Sequence, residues 1–191
     1  PAIAERFYRV PASRCYHRLE LLVETDCFDD VTEILKRLGY VQQSNSTKLQ
    51  ILTGCNAMIW THTADLHEMI LMAPCHSQAT SESVSALTPC ELLRTSNMML
   101  CNDNHVPVVN SAHQIMLSCA NVVSEQCKSG LLALWDIFSM LGFASDSMCD
   151  EIFALARSSN DWNILQQAMR QVNKFFPDNQ DSCIARILSE N

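Results

Sequence analysis

The stretch SAHQIMLSCANVVSEQCKSGLLALWDIFSMLGFASDSMCDEIFALARSSNDWNILQQAMRQVNKFF, residues 111–176, decides the reading of the fold. Its apolar residues recur at spacings of three and four with short polar breaks, the pattern of successive amphipathic helices. Asn110 offers an N-cap, and Ile115, Met116, Cys119, Val122 and Val123 form one stripe that ends near Lys128. Ser129-Gly130 interrupts it. Leu131, Leu134, Trp135, Phe138 and Leu141 mark the next helix, with Gly142 expected in the left-handed conformation at its end and Phe143 folded back on the last turn. Ser147, three residues before Asp150, predicts a capping box for a third helix carrying Ile152, Phe153, Leu155 and Ala156. Ser159-Asn160 is read as opening a fourth, with Trp162, Leu165, Met169 and Val172 on its buried face, and Pro177 stops it. Asp181 is expected to cap a last short helix with Ile184, Ile187 and Leu188. Links this short favour antiparallel neighbours.

Upstream, Arg14 to Glu24 reads as a helix with Tyr16, Leu19 and Leu22, and Asp29-Asp30 opens a second one with Val31, Ile34, Leu35 and Leu38. Leu38-Gly39-Tyr40 ends it. Between residues 41 and 110 only two basic and five acidic side chains occur, fewer than a solvated helical surface carries. Lys48 to Leu52 alternates, but with no partner strand in view it is assigned to helix or irregular chain. Ala57–Trp60 and Leu66–Met72 are apolar on more than one face, as expected of helices at the centre of a domain or beneath a partner. Pro74–Ser81 is expected to be a loop. Thr88-Pro89-Cys90-Glu91 is a clear helix start, with Leu92, Leu93, Met98, Met99 and Leu100 following and Asn102-Asp103-Asn104 ending it. The expected fold is all-α, an irregular helical bundle or α-solenoid-like array of about eight helices. It forms a single interaction domain over 1–191, and a chain that starts at Pro1 reads as a fragment of a longer protein.

The composition sets limits on function. A net charge of −8 with 18% charged and 48% hydrophobic residues excludes disorder and disfavours direct binding of nucleic acid. No apolar run is long enough to span a membrane, and Pro1 to Arg9 is too charged for a signal peptide. The 10 cysteines have no CxxC pair, and several, such as Cys119 and Cys149, lie in apolar stripes. They read as reduced core thiols of an intracellular protein, in the cytosol or nucleus, and not as a disulfide framework.

Candidate chemistry is sparse. His62, His67, Cys75 and His76 are the densest metal-like cluster, but their spacing matches no structural zinc site, and histidines five apart on a helix point about 140° from each other. Cys75-His76 and its neighbours are the alternative to consider, a thiol- or metal-dependent enzyme, although no signature surrounds any cysteine. With four scattered glycines there is no phosphate-cradling loop of the usual kinds. Asp29-Asp30 and Asp150-Glu151 are assigned to first helical turns, where they complement the dipole. Arg6, Arg9, Arg14 and Arg18 form the basic concentration, read as a solvated face. No catalytic, cofactor-binding or metal-ligating residue is therefore assigned.

What remains is a surface. Nine methionines, with Met69 and Met72 in the weakly charged region, suit an adaptable contact for another helix. Met58, Trp60, Leu66, Met69, Ile70 and Met72 are the expected partner-binding residues. The helix–turn–helix rhythm of Arg14–Leu38 and of Ser147–Phe176 is similar to α-solenoid units such as tetratricopeptide repeats, without their Trp, Gly, Ala and Pro pattern. The cysteine-rich, acidic, helical character of the whole chain also resembles the helical scaffold subunits that pair as heterodimers to recruit the SMC-type genome-maintenance complex containing a SUMO ligase. That resemblance implies a nuclear, non-enzymatic scaffold that forms a stable complex with another helical protein, and it carries over no functional residue. A helical-repeat RNA binder is disfavoured by the net charge.

Overall fold

The computed structural model describes residues 2–8, 18–43, 55–74, 87–101, 103–123, 130–177 and 182–189. They fall into two compact units, one built from Cys15–Glu82 with Thr88–Arg94, the other from Ala2–Arg14, Ser83–Leu87 and Thr95–Asn191.

The first unit is a mixed sheet with helices, which overturns the all-α expectation. Strand β1 (Arg18–Leu22) is followed by one 3-10 turn (Thr25–Cys27), helix α2 (Phe28–Arg37) and strand β2 (Tyr40–Gln42). Strands β3 (Cys55–His62) and β4 (Glu68–Pro74) form a hairpin, and the short helix α3 (Pro89–Arg94) follows. The strand order is β1-β4-β3-β2, with β1 parallel to β4 and the other pairs antiparallel. β1 and β2 therefore run the same way, joined by α2 as parallel strands require, and the later hairpin fills the space between them.

Local chemistry explains each element. Asp29 and Asp30 sit in the first turn of α2 and Lys36 and Arg37 in its last, complementing the dipole at both ends. Gly39 ends the helix at φ 88°, its N–H donating to the Lys36 carbonyl at 3.1 Å. The Thr88 hydroxyl accepts from the Glu91 N–H at 3.2 Å, as its sequence predicts, but α3 stops at Arg94. Met69 to Ala73 of β4 are buried throughout, because this strand has a neighbour on each edge and cover on each face. A run buried on both faces loses the alternation that identifies a strand, which is why Leu66–Met72 resembles an all-round apolar helix.

The expected helix over Arg14–Glu24 is β1 in its described part, and Ala57–Trp60 belongs to β3. Arg9 to His17, Lys48 to Leu52, most of the expected loop at Pro74–Ser81, and Asp181 lie outside the described residues.

The second unit holds helix α1 (Ala2–Phe7), a two-stranded hairpin of β5 (Asn97–Cys101) and β6 (Asn104–Val108), and helices α4 (Ser111–Val123), α5 (Gly130–Leu141), α6 (Asp146–Ser158), α7 (Trp162–Phe175) and α8 (Ser182–Ser189). Met98, Met99 and Leu100, assigned from sequence to a helix, are in β5. The five later helices follow the sequence reading because their apolar spacing of three and four matches one buried face each. Helix α4 packs against α5, α6 and α7, and Ile115, Met116 and Cys119 meet Ile137, Ile152 and Met169 in one core.

The caps differ in detail from the sequence reading. Asn110 does cap α4, its Oδ1 accepting from the His113 N–H at 2.9 Å. Ser145, two residues before the expected Ser147, caps α6 by accepting from the Met148 N–H at 3.3 Å. The left-handed residue is Asn160 at φ 58°, not Gly142. Ser159-Asn160 thus ends α6 in place of opening α7, with Asn160 N–H donating to Arg157 O and Asp161 N–H to Ala156 O, the paired bonds of a Schellman motif. Phe143 is exposed and does not fold back. Among the described residues no helix is long and apolar enough to cross a membrane.

Two outcomes follow from this packing. Asn160→Gly is expected to keep or slightly raise stability, whereas Asn160→Ala loses roughly 1 kcal/mol because its Cβ strains the left-handed position; urea midpoints compare them. Cys119, Cys149 and Cys183 are buried and burial pushes the Cys119 thiol up to about 12, while Cys27 and Cys90 are exposed. Mass-spectrometric mapping of iodoacetamide adducts on the native protein should find Cys27 and Cys90 modified and the three buried thiols intact until denaturant is added.

Candidate functional site

In the first unit, side chains alternate across the sheet and register decides which share a face. Leu19 pairs with Met69, Leu21 with Leu71, and Met69 with Trp60. Trp60, Met69 and Leu71 form a core with Leu35 of α2, while Leu21, Val31 and Met58 pack at its margin. This face is closed by the helix.

The opposite face carries the acids. Glu20 pairs with Ile70, and Glu68, two residues before Ile70, pairs with Arg18. Alternation therefore places Glu20 and Glu68 on the same face of neighbouring parallel strands, and both are exposed. At ordinary sheet spacings such diagonal neighbours lie roughly 7–8 Å apart, within reach of long side chains. Sequence reasoning missed both residues. Their only signal is a charge inside an apolar run, Leu19-Glu20-Leu21-Leu22-Val23 and Glu68-Met69-Ile70-Leu71-Met72.

A second polar group sits at the β3–β4 turn. The His62 ring places Nδ1 2.7 Å from Asp65 Oδ1 and Nε2 3.1 Å from the Leu38 carbonyl. Asp65 Oδ1 also accepts from the His67 N–H at 3.2 Å, and His67 Nε2 lies 3.8 Å from Oδ2. Desolvation opposes the charged carboxylate but is outweighed by the His67 N–H and the His62 ring, so Asp65 sits below its usual carboxylate range. The residue between them, Leu66, has φ 59°.

The sequence-derived candidates separate accordingly. His62 and His67 converge on Asp65 and not on a metal-like set, and Cys75 and His76 lie outside the described residues. Among the described residues no group of three or more His, Cys, Asp or Glu side chains is placed to hold a metal ion. Trp60, Met69, Ile70 and Met72 are buried in the unit, Met58 is half-buried, and Leu66 is exposed in the turn. Burial of β4 accounts for the lack of charge from Met69 to Ala73, whereas β5 and β6 are mostly exposed. Asp150 and Glu151 lie one turn into α6 and not at its start: Asp150 binds Arg186 at 2.6 Å and Glu151 accepts from Asn110 at 3.4 Å. Arg6 binds the Val109 carbonyl and the Ser111 hydroxyl, and burial lowers its pKa. It belongs to the packing of the second unit and not to a solvated basic face.

A family model described as an uncharacterised nucleotidyltransferase matches residues 1–177, and no curated protein matches the chain. The match spans nearly the whole sequence. It replaces the likeness to scaffold subunits of an SMC-type complex, and with it the expectation of a non-enzymatic genome-maintenance scaffold, since the family points to an enzyme; the all-α expectation is overturned by the sheet of the first unit. With residues 1–177 matched, the chain belongs to this family of nucleotidyltransferases.

Proposed function

We propose that this chain transfers a nucleotidyl group from a nucleoside triphosphate to an acceptor hydroxyl. The observation that carries the reading is the family match over residues 1–177. The exposed pair Glu20 and Glu68 on one face of the sheet supports it, because nucleotidyl transfer uses carboxylates to hold its cation. In the reaction the acceptor oxygen bonds to the α-phosphorus, the bond from that phosphorus to the bridging oxygen breaks, and pyrophosphate leaves with the electron pair. The acceptor proton passes to solvent.

Nucleotidyl transfer of this kind uses a divalent cation, and the donor chemistry here fits one. Magnesium takes one or two carboxylates from a protein and completes its shell with waters and substrate phosphates, and Glu20 and Glu68 are two hard-oxygen donors on one face. When bound, the ion supplies neutralisation of the charge that develops on the phosphate oxygens. The chain's own part is to present the two carboxylates from rigid strands. Among the described residues no group of three or more such donors is placed to hold an ion, so in this reading the nucleotide's phosphates complete its shell.

Incubation of the full chain with each α-labelled nucleoside triphosphate and magnesium tests the reading through release of pyrophosphate. Glu20→Gln and Glu68→Gln are each expected to lower the rate on the order of 10² to 10³-fold. Their unfolding midpoints should stay within about 0.5 kcal/mol of the parent, since both side chains are exposed. Wild-type rates in both variants, or a parent chain that neither binds nor turns over any triphosphate, would reject it.

A further inference from the structure

The β5–β6 hairpin has two edges, and they are not equivalent. Its strands meet at Cys101 and Asn104, with Asp103 at φ 63° in the turn, and the register runs from there to Asn97 beside Val108. So short a connection makes Cys101 and Asn104 a hydrogen-bonded pair, and alternation makes Met99 with Val106 and Asn97 with Val108 the others. Met98 and Leu100 on β5, and His105 and Pro107 on β6, therefore turn their backbone groups away from the partner strand. Pro107, which has no N–H, falls at one of these outward places and costs the ladder nothing.

On β6 that proline removes a donor from the row a further strand would use. On β5, Met98 and Leu100 each offer an outward N–H and carbonyl, and among the described residues no other strand pairs with β5. Their side chains lie on one face and are 61% and 62% exposed. No charge and no proline guards the strand Asn97–Cys101. A hairpin of two strands is marginal in water by itself, and further strands stabilise it.

The occupant that fits this edge is the same strand from a second copy. A two-fold axis at Met99 sets Met98 opposite Leu100 of the second copy in antiparallel pairing, and the reverse. In both pairs the outward N–H and carbonyl of one copy meet the outward carbonyl and N–H of the other, so the edge is complementary to itself. Charge permits the approach. The chain carries −8, yet Asn97–Cys101 holds no ionised group. The Asp103 carboxylates of the two copies would stand roughly 27 Å apart at about 3.4 Å per residue, far beyond the ~8 Å screening length.

We propose that this chain dimerises through β5, joining two hairpins into one sheet of strand order β6-β5-β5-β6. The pairing is independent of the nucleotidyl-transfer reading. A contact made by a strand of 5 residues from each copy buries less than the roughly 1,200 Å² of a stable interface, so the dimer dissociates on dilution.

Sedimentation equilibrium of the full chain from about 1 to 500 µM tests this, with a monomer–dimer equilibrium expected. Leu100→Pro gives β5 the missing outward donor that Pro107 gives β6 and takes no bond from the hairpin. Met98→Lys sets two cations roughly 7–8 Å apart across the axis. Each should weaken dimerisation by about tenfold or more with the urea midpoint little changed, and Met98→Lys covers the case in which Leu100→Pro does not fold. Position 99 checks the axis. The two copies of Met99 form a non-hydrogen-bonded pair with Cα atoms about 4.5 Å apart, within disulfide range. Met99→Cys should therefore oxidise to a dimer linked 99 to 99 in peptide mapping, faster than His105→Cys, exposed on the other strand, links to itself. A monomer at every concentration overturns the proposal. So does a dimer that persists unchanged in either folded variant, or one that links no faster at 99 than at 105.

Discussion

The pairing of β4 with β1 on one edge and β3 on the other is the constraint on which the first unit depends. It brings residues fifty positions apart into register, Leu19 beside Met69 and Glu20 beside Ile70. Because side chains alternate, that register sends Trp60, Met69 and Leu71 towards α2 and leaves Glu20 and Glu68 together on the other face. A slip of β1 by one residue would turn Glu20 towards α2 in place of Leu19 and Leu21, so the packing of those leucines fixes the register. Ladder bonds from two neighbours satisfy the backbone of a strand whose side chains are nearly all out of water.

The second unit rests on a different principle. Its helices are amphipathic, and α4 supplies the surface that α5, α6 and α7 share. Polar groups near that core are matched to specific partners. Arg6 reaches the Val109 carbonyl and the Ser111 hydroxyl, Tyr8 donates to buried Asp136 at 2.6 Å, and Arg186 joins α8 to α6 through Asp150 and lies over the Phe153 ring. Cys119, Cys149 and Cys183 take part as small apolar groups among these helices, which is the role their sequence context indicates.

The contrast in legibility between the units has a physical cause. From Ser111 onward each helix buries one face, so the spacing of three and four survives in the sequence and the helices are visible there. In the sheet, β4 is buried on both faces and shows no alternation, and β1 alternates only over Arg18-Leu19-Glu20-Leu21, too short a run to mark a strand by itself. Lone apolar runs such as Glu68–Met72 then fit a buried helix as well as a strand. The candidate site was hidden for the same reason: Glu20 and Glu68 are single charges at the edges of such runs, and nothing local relates them. The turn histidines were visible as residues, but the spacing argument placed them on a helix, where they diverge; on a hairpin they close on Asp65.

By itself the chain's sequence determined where the α4–α8 helices lie, the cap at Asn110, the stop after α2 at Gly39 and the burial of the helical cysteines, because these follow from contacts within a few residues and from one-sided hydrophobic spacing. Tertiary structure alone decided the sheet, its strand order, the pairing of Glu20 with Glu68 on one face and the double engagement of His62. Each of those depends on which distant strand lies alongside, a choice made by burial across the whole unit and not by any local run of residues.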